Sequence, residues 1–340
     1  MLYFNSDYME GMHPEILKRL SGINMDKNTG YGGDAICESA KEKIRQACGC
    51  PEAEIYFLAG GTQANAVVIK SLLAPYEGVV SADTGHINVH EAGAVEAAGH
   101  KVLALPEHDG KLDADEVENY LKRFYEDESH THMVKPGMVY ISHPTEYGTL
   151  YTRKELEALK DVCTRYRMPL YLDGARLGYG LAAKGTDVTL PLIAQVCDVF
   201  YIGGTKVGAM FGEAVVFTRH LTDGFFTVMK QCGAVLAKGW FLGVSFDQLF
   251  SDGLYIKCGA NAIETAERLK AGLQEKGYSF YVDSPTNQQF IILENEKMKE
   301  LKKNVSFNFW QALDDDHTVV RLATSWATKM EEVEKLLAFF

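Results

Sequence analysis

Short apolar runs and stretches of helical spacing alternate along the chain from about residue 34. Seven of the runs predict strands, at residues 55–58, 79–82, 102–105, 138–141, 170–172, 199–202 and 214–217. Several of them are apolar without alternation, which is typical of strands buried on both faces of a sheet. Strands that alternate with helices indicate an α/β fold with a mainly parallel, seven-stranded sheet covered by helices.

Polar residues at capping spacings mark where two helices begin. Asp113 stands three residues before Glu116, and Thr152 stands three residues before Glu155. Each pair precedes apolar residues at helical spacing. This pattern predicts helices that begin at both positions.

A longer helical stretch is predicted to connect two domains. It follows Gly233 and extends towards Gly277, and the glycines at 253 and 259 are expected to interrupt it. We place the domain boundary near residue 245. This divides the chain into a large domain with the N-terminal segment, residues 1–245, and a small C-terminal α/β domain, residues 246–340.

The small domain is predicted from a second set of patterns. Strands are expected at 278–282, 289–293 and 319–323, and a closing helix at 331–340. The polar run at 126–132 is expected to form an exposed loop.

Composition narrows the class of protein. With 340 residues and 46% hydrophobic content, the chain can bury a large core. A formal charge of −12 argues against nucleic acid or an anionic membrane as a partner. The seven cysteines are an odd number without Cys-x-x-Cys spacing, so we expect buried thiols in a reducing cytosol. Because neither an export signal nor a membrane-spanning run is indicated, we expect a cytoplasmic enzyme.

Three chemical groups follow predicted strands. Lys206 comes after the strand at 199–202 and two glycines, and Asp173 follows the strand at 170–172. The strand at 55–58 leads into Gly60, Gly61 and Thr62 and then an apolar helix, where backbone N–H groups can hold a phosphate. An amine, a carboxylate and a phosphate cradle at strand ends predict a site for pyridoxal 5'-phosphate.

The chain resembles the low-specificity threonine aldolases, which are fold-type-I enzymes related to the β-eliminating lyases. The matching segments, in family order, are Phe4-Asn5-Ser6-Asp7, Gly60-Gly61-Thr62-Gln63-Ala64-Asn65, Asp83-Thr84-Gly85-His86, Asp173-Gly174-Ala175-Arg176, Gly204-Thr205-Lys206 and Val320-Arg321-Leu322. The resemblance implies the aspartate aminotransferase type of fold and pyridoxal-phosphate-dependent cleavage of L-threonine or L-allo-threonine to glycine and acetaldehyde. It also implies a homodimer or homotetramer, and no metal is expected.

The resemblance assigns cofactor contacts to matching residues. Lys206 is expected to form the Schiff base, Asp173 to bond the protonated ring nitrogen, and His86 to stack on the ring, and these three are the predicted catalytic residues. Gly60, Gly61 and Thr62 are expected to hold the phosphate. Arg176 is expected to meet the phenolic oxygen of the cofactor or the substrate carboxylate.

Three further residues resemble family positions around the substrate. These are Ser6, Tyr31 and Arg321, and Arg321 is expected to hold the α-carboxylate by a bidentate pair. Tyr31 is expected to reach a neighbouring subunit.

Each assignment has a structural alternative. Asp173 and Thr62 could cap helices, and Arg176 could pair with Asp173. The partner of Arg321 could be an acidic residue such as Glu294. For any role assigned to His86, His90 four residues later is a rival.

The chain departs from the family pattern in two places. Thr145 stands where many threonine aldolases carry a histidine, so the base for the β-hydroxyl proton is open. The glycine-rich stretch after the lysine segment is replaced by residues 233–240, where Lys238 is a candidate for a phosphate contact from the neighbouring subunit.

Rival functions remain at this point. Another pyridoxal-phosphate activity, such as β-elimination, racemisation or transamination, would use the same Lys206 and Asp173. A nicotinamide-dependent oxidoreductase is a second rival, because Gly178-Tyr179-Gly180 imitates the dinucleotide fingerprint and Asp198 follows it. A catalytically inactive protein that binds the cofactor is a third, and Thr145 is the reason to keep it.

Overall fold

A computed structural model describes residues 1–221 and 223–340. The strands are β1 (Leu2–Tyr3), β2 (Glu54–Leu58), β3 (Glu77–Ala82), β4 (Val102–Leu105), β5 (Lys135–Ser142), β6 (Leu170–Asp173), β7 (Val199–Gly203), β8 (Glu213–Phe217), β9 (Gln288–Glu294), β10 (Val305–Ser306), β11 (Asn308–Ala312) and β12 (His317–Ala323). The helices are α1 (Pro14–Ile23), α2 (Ala35–Cys48), α3 (Gly61–Leu72), α4 (His86–Val89), α5 (Ala94–Ala97), α6 (Ala114–Glu126), α7 (Arg153–Tyr166), α8 (Leu177–Ala182), α9 (Leu190–Val196), α10 (Phe225–Gln231), α11 (Trp240–Leu249), α12 (Leu254–Glu275), α13 (Asn295–Leu301) and α14 (Met330–Leu337).

The largest sheet contains the seven predicted strands. Its order is β2-β8-β7-β6-β5-β3-β4. β8 runs antiparallel to both of its neighbours, whereas the other neighbouring strands pair in parallel. Every residue of β6, β7 and β8 is buried, because apolar clusters cover both faces of the sheet. The predicted α/β fold with a mainly parallel seven-stranded sheet is confirmed.

The topology brings several strand ends to one edge of this sheet. β5, β6 and β7 are parallel and end at Ser142, Asp173 and Gly203. β2 points the same way, because it is antiparallel to β8 and β8 is antiparallel to β7. The loops after these strands therefore lie side by side, which is where α/β sheets bind ligands.

A smaller antiparallel sheet of order β11-β12-β9 forms a second unit. Its apolar face shares a core cluster with residues of α12 and α14, for example Leu269 and Leu337. The N-terminal residues join this unit, since β1 pairs with β10 and Phe4 is buried in the same cluster. Position 245 lies inside α11, and the division into 1–245 and 246–340 stays a prediction.

The predicted helix starts are confirmed. The Asp113 side chain accepts hydrogen bonds from the N–H groups of Asp115 and Glu116 at the start of α6. Thr152 and Glu155 form a capping box at the start of α7. The closing helix is also present, although α14 covers Met330–Leu337 rather than 331–340.

The prediction that Gly259 interrupts the long helical stretch is wrong. Gly253, at φ 69°, does separate α11 from α12, but Gly259 lies within α12. A Cβ at this position would collide with the carbonyl oxygen of Gly178 in α8. The glycine therefore allows two helices to approach closely instead of breaking one.

The strand expected at 278–282 is wrong as well. Phe280 forms a single bridge with Ile291, and Tyr278 and Phe280 pack against the core of the small unit. Two backbone hydrogen bonds flank this bridge, from the Tyr281 N–H to Phe290 and from the Ile292 N–H to Ser279, but the pairing extends no further and no strand forms. The small-unit elements β10, β11 and α13 were not predicted. Within the expected loop at 126–132, Glu126 ends α6 and His130–His132 form a short 3-10 helix.

Candidate active site

One cavity at the shared edge of the large sheet collects all the residues predicted to bind the cofactor. Its volume is about 260 Å³, and its lining includes Gly60, Gly61, Thr62, His86, Asp173, Arg176 and Lys206. A second cavity of about 570 Å³ shares His86, Arg176 and Lys206 with the first and also contains Arg321. We call the first the inner cavity and the second the outer cavity.

Close packing of two loops brings the amine and the carboxylate together. Asp173 ends β6, and Lys206 is the third residue after the end of β7. A Cβ at Gly203 would lie 2.7 Å from the carbonyl oxygen of Gly174, so glycine is needed where the two loops touch. The Tyr255 hydroxyl donates to the Gly203 carbonyl at 3.0 Å and anchors the lysine loop from α12.

Asp173 is held as a buried carboxylate by a set of donors. Its Oδ2 accepts hydrogen bonds from the Tyr140 hydroxyl at 2.6 Å and the Asn65 amide at 2.9 Å. Its Oδ1 accepts from the Tyr201 hydroxyl and from the Ala175 N–H. Burial raises the pKa of the Asp173 carboxyl, but the charge of His86 and these hydrogen bonds outweigh burial, and the pKa is lowered. The carboxylate is therefore ionised at neutral pH.

Lys206 carries an amine that loses its proton easily. Burial and the charge of Arg176 lower the pKa of Lys206 to about 8, against the opposing charges of Asp7, Asp173 and Glu213. Burial raises the pKa of the Glu213 carboxyl to about 8. A substantial fraction of the Lys206 amine is therefore neutral near pH 8 and able to attack a carbonyl.

Glu213 also fixes the loop that carries the lysine. The Glu213 carboxylate accepts hydrogen bonds from the Gly204 N–H at 3.0 Å and from the Thr205 hydroxyl at 2.8 Å. Both donors come directly before Lys206 in the chain.

The start of α3 is open to an anion. Gly60 is the N-cap, and no side chain caps the helix. The structural alternative in which Thr62 caps this helix is therefore wrong, since Thr62 lies inside its first turn. A Cβ at Gly61 would lie 2.9 Å from the Tyr201 hydroxyl, so glycine also makes room for this tyrosine beside Asp173. The free N–H groups of a helix N-terminus suit a phosphate.

His86 is oriented by a buried glutamate. Its Nδ1 lies 2.7 Å from Oε1 of Glu91, and the same oxygen accepts from the Asn65 amide at 2.7 Å. Asn65 in turn reaches Asp173. A chain of hydrogen bonds therefore connects the imidazole to the carboxylate of the cavity, and the imidazole is about one-third exposed on the cavity side.

Arg176 pairs with Asp7 and not with Asp173. The guanidinium donates from Nε at 2.7 Å and from NH2 at 3.0 Å to the two Asp7 oxygens. Asp7 is fully buried and also accepts from the Asn287 amide. Burial opposes its ionisation, but the charges of Arg176 and Lys206 and these hydrogen bonds lower the pKa of Asp7 to about 2.

Arg321 has hydrogen-bonding capacity to spare. It donates to the Gln288 side-chain oxygen at 2.9 Å and to the Asn5 carbonyl at 3.3 Å, while its Nε is buried without a partner. Burial and the charge of Arg176 lower the pKa of Arg321 to about 10. The alternative partner Glu294 is opposite His317 in the sheet, whereas Arg321 is opposite Phe290, so Glu294 does not pair with it.

The remaining predicted residues are placed differently. Ser6 follows Asn5, whose carbonyl accepts from Arg321. The Ser6 hydroxyl is buried without a partner. Tyr31 lines a separate cavity of about 240 Å³ and is about half exposed. The structure of one chain does not bring Tyr31 to the inner or outer cavity, and its role stays a prediction, as does that of Lys238.

Several site residues escaped the sequence analysis. They are Asp7, Asn65, Glu91, Tyr140, Glu146, Tyr201 and Glu213. Asp7 and Asn65 lie within segments that carried the family resemblance, so their polarity was a usable signal. Tyr140 and Tyr201 lie inside apolar strands, where an aromatic residue is expected for packing alone.

The structure excludes the alternative of a nicotinamide-dependent oxidoreductase, because the glycines of the supposed dinucleotide fingerprint lie in the wrong place. Gly178-Tyr179-Gly180 lies inside α8 and not in a turn between a strand and a helix, as the dinucleotide fingerprint requires. A Cβ at Gly178 would lie 2.7 Å from a Val207 methyl, and one at Gly180 would lie 3.0 Å from Pro144. These glycines therefore serve close packing.

The fold is that of the pyridoxal-phosphate enzymes related to aspartate aminotransferase. An aspartate aminotransferase variant from Thermus thermophilus superimposes with a TM-score of 0.73 at 17% identity, covering 100% of this chain and 95% of that one. At this identity the likeness concerns the fold alone.

Sequence comparison places the chain more narrowly. Residues 4–308 match the model of the beta-eliminating lyase family, and the chain belongs to this family. A low specificity L-threonine aldolase from a Pseudomonas species is 30% identical over 98% of this chain and 96% of its own length. The structure of a threonine aldolase from Leishmania major has a TM-score of 0.96 and 41% identity, covering 99% of this chain and 98% of that one. The predicted family is confirmed.

Proposed function

We propose that this protein is a pyridoxal 5'-phosphate-dependent carbon–carbon lyase that cleaves L-threonine and L-allo-threonine to glycine and acetaldehyde. The observation that carries the proposal is the single inner cavity that holds Lys206, Asp173 and the open start of α3, in a chain 41% identical to a threonine aldolase.

The residues of the inner cavity fit the cofactor. The uncapped N-terminus of α3 matches a phosphate dianion, and the ionised Asp173 matches a protonated ring nitrogen. Lys206, with its pKa near 8, would hold the aldehyde covalently. His86 would lie against the ring. When bound, the cofactor withdraws electrons from the substrate Cα and stabilises negative charge there.

The protein's own groups orient the substrate. Arg321 would bind the α-carboxylate, because its guanidinium faces the outer cavity and has an unpartnered Nε. Ser6, whose hydroxyl is also unpartnered, would add a donor beside it. Arg176 is already paired with Asp7. It therefore supplies positive charge to the cavity, and its Nε and NH2 groups are not free to bind a carboxylate of the substrate in a bidentate pair. Orientation of this kind selects which bond of Cα breaks.

The same cavity could serve β-elimination, racemisation or transamination, which use the same lysine and aspartate. The names of the relatives favour the aldolase. A protein that binds the cofactor without turnover is the remaining alternative, since Thr145 stands where a histidine was expected.

Subunit association is part of the proposal. We propose a homodimer or homotetramer in the cytoplasm. Among the described residues, no helix is both long and apolar enough to cross a membrane. Tyr31 and Phe226 line one cavity and are each about half exposed, and adjoining exposed apolar residues are typical of contact surfaces. Light scattering should show at least a dimer, and a fully active monomer would contradict this.

Product analysis tests the reaction type. Purified protein with L-threonine should form glycine and acetaldehyde in equal amounts, with acetaldehyde measured through a coupled alcohol dehydrogenase. Formation of 2-oxobutanoate and ammonia would identify an eliminase instead. Dependence on an added oxo acid would identify an aminotransferase. A coloured protein without any product would identify a cofactor-binding protein that lacks catalysis.

A further inference from the structure

The proposed cleavage needs a group that removes the β-hydroxyl proton, and Thr145 does not supply it. The Thr145 hydroxyl is buried and lies 2.5 Å from the Thr149 hydroxyl. It also accepts the Thr149 N–H at 3.2 Å. A neutral hydroxyl tied into such a contact is a poor base near neutral pH.

The next residue, Glu146, carries a carboxylate in the right place. Three carboxylates line the inner cavity, namely Glu146, Asp173 and Glu213. Glu146 also lines the outer cavity with Arg321 and Lys206. It therefore stands between the groups proposed to hold the cofactor and the group proposed to hold the substrate carboxylate.

The other two carboxylates are engaged elsewhere. Asp173 accepts from Tyr140, Tyr201 and Asn65 on its two oxygens. Glu213 accepts from the Gly204 N–H and the Thr205 hydroxyl, one on each oxygen. Each holds other parts of the protein in position.

Glu146 is fixed by two donors on one oxygen. Its Oε1 accepts hydrogen bonds from the Ser142 hydroxyl at 2.6 Å and from the backbone N–H of His86 at 2.8 Å. A carboxylate has about four acceptor positions on its two oxygens. The side chain is therefore held in place and keeps acceptor capacity for a substrate hydroxyl.

We propose that Glu146 is the general base that takes the β-hydroxyl proton of the substrate. This inference rests on the proposed function. The hydroxyl proton moves to the Glu146 carboxylate, and the O–H electron pair forms the carbonyl bond of acetaldehyde. The Cα–Cβ bond breaks and leaves its electron pair on Cα. Cα then takes one proton from water, and Glu146 releases its proton to water.

The electrostatics of the site support this role. Burial and, to a smaller extent, the charge of Asp173 raise the pKa of Glu146. The Ser142 hydrogen bond and the charge of His86 lower it, but burial outweighs them and the pKa is raised overall. The charge of Glu146 also acts on Tyr140 and Tyr151. Lys206, Arg176 and His90 line the outer cavity together with Glu146. A carboxylate with a raised pKa is a stronger base at neutral pH.

The first test separates β-hydroxyl deprotonation from other steps. Glu146→Gln should lower kcat for threonine cleavage by roughly 10²- to 10⁴-fold. It should leave the cofactor's visible absorption and the exchange of the glycine Cα proton intact, because glycine has no β-hydroxyl. Glu157→Gln, at an exposed position on α7, is the matched control and should keep full activity.

The outcomes distinguish this inference from the proposed function. If the wild-type protein does not cleave threonine, the proposed function fails first. If the wild-type protein cleaves threonine and the kcat of Glu146→Gln is within a few-fold of the wild-type value, another group is the base. If the variant loses cleavage and glycine exchange together, Glu146 shapes the whole site, and the proposal is again overturned.

A second test uses the pH profile. kcat/KM for threonine should decline at acid pH as Glu146 becomes protonated. Ser142→Ala removes a hydrogen bond that lowers the pKa of Glu146, so it should move this acid limb to higher pH. An acid limb that stays in place in Ser142→Ala, or that persists in Glu146→Gln, would overturn the assignment.

A third test needs no cofactor. A carboxyl whose pKa is raised by folding stabilises the protein below its ordinary pKa, and this contribution is lost as the pH rises through the folded value. The Tm of wild-type apoprotein minus that of Glu146→Gln should therefore fall as the pH rises from about 4.5, the ordinary value, to neutrality. A difference that does not change with pH would show that Glu146 is not held in this environment.

Discussion

Two parts of the site differ in how their polar groups are hydrogen-bonded. We call the part of the inner cavity around Asp173 and Lys206 the floor, and the part of the outer cavity around Arg321 the wall. At the floor, the Asp173 oxygens accept from Tyr140, Tyr201 and Asn65. At the wall, the Arg321 Nε is buried without a partner. The hydroxyl of Ser6, which follows the Asn5 that accepts from Arg321, is buried without a partner as well. One region is complete within the chain, and the other keeps donors in reserve.

This difference matches the tasks proposed for the two regions. A buried charge costs much less when fixed donors surround it, so the floor can keep Asp173 ionised in every turnover. Unpartnered buried donors cost about 1–3 kcal/mol each. A ligand that supplies acceptors recovers this free energy on binding. We expect changes at the floor to affect the chemistry and changes at the wall to affect substrate affinity.

The largest effect should come from the amine at the floor. Lys206→Ala should abolish covalent cofactor attachment and turnover and leave the fold intact, because the side chain lies in a loop after β7 and not in the core. Borohydride reduction followed by mass spectrometry measures the attachment. A coloured, reducible adduct in the variant would mean that another lysine is the nucleophile.

Removal of the floor's charge should come next. Asp173→Asn keeps the shape but places a neutral amide among the donors of Tyr140, Tyr201 and Asn65. We expect kcat to fall by roughly 10²- to 10³-fold, as for the loss of one preorganised electrostatic group. The substrate KM should change little, and a selective rise in KM would break the contrast between floor and wall.

At the wall, Arg321→Ala should weaken substrate binding by about 2–5 kcal/mol, the usual cost of truncating one member of a buried charge pair. Cofactor absorption should survive. Arg268→Ala is the matched control, because Arg268 pairs with Glu334 away from the cavities. An unchanged KM for threonine would show that another group holds the carboxylate.

The smallest effect concerns the environment of the amine. The negative charge of Glu213 raises the pKa of Lys206, which burial lowers to about 8. Glu213→Gln should therefore lower the pKa of Lys206 further, by a small amount, because Glu213 has a pKa of about 8 itself and is only partly ionised where the amine titrates. The rate at which apoprotein develops the cofactor's colour should reach its half-maximum at a lower pH. A midpoint displaced upwards would reverse the assigned sign.

Local patterns were sufficient for the frame of the molecule. The seven strands of the large sheet and the caps at Asp113 and Thr152 follow from apolar runs and from side chains that bond nearby N–H groups, and both signals act over a few residues. The meeting of Lys206 and Asp173 was also predictable, because parallel neighbouring strands end at one edge. The predictions failed where a contact between residues distant in the chain determines the structure. Gly259 is an example, because its role is to let α12 approach Gly178 of α8.

The sequence by itself determined the fold class and the presence of Lys206 and Asp173 at the floor of the cavity, since both depend on strand order and on short motifs. Only the tertiary structure decided the partners of those residues. Arg176 bonds Asp7 across 169 positions, and Glu146 meets the His86 N–H across 60. Hydrogen bonds of this kind depend on distances of a few tenths of an ångström between segments remote in the chain, and no local spacing encodes them.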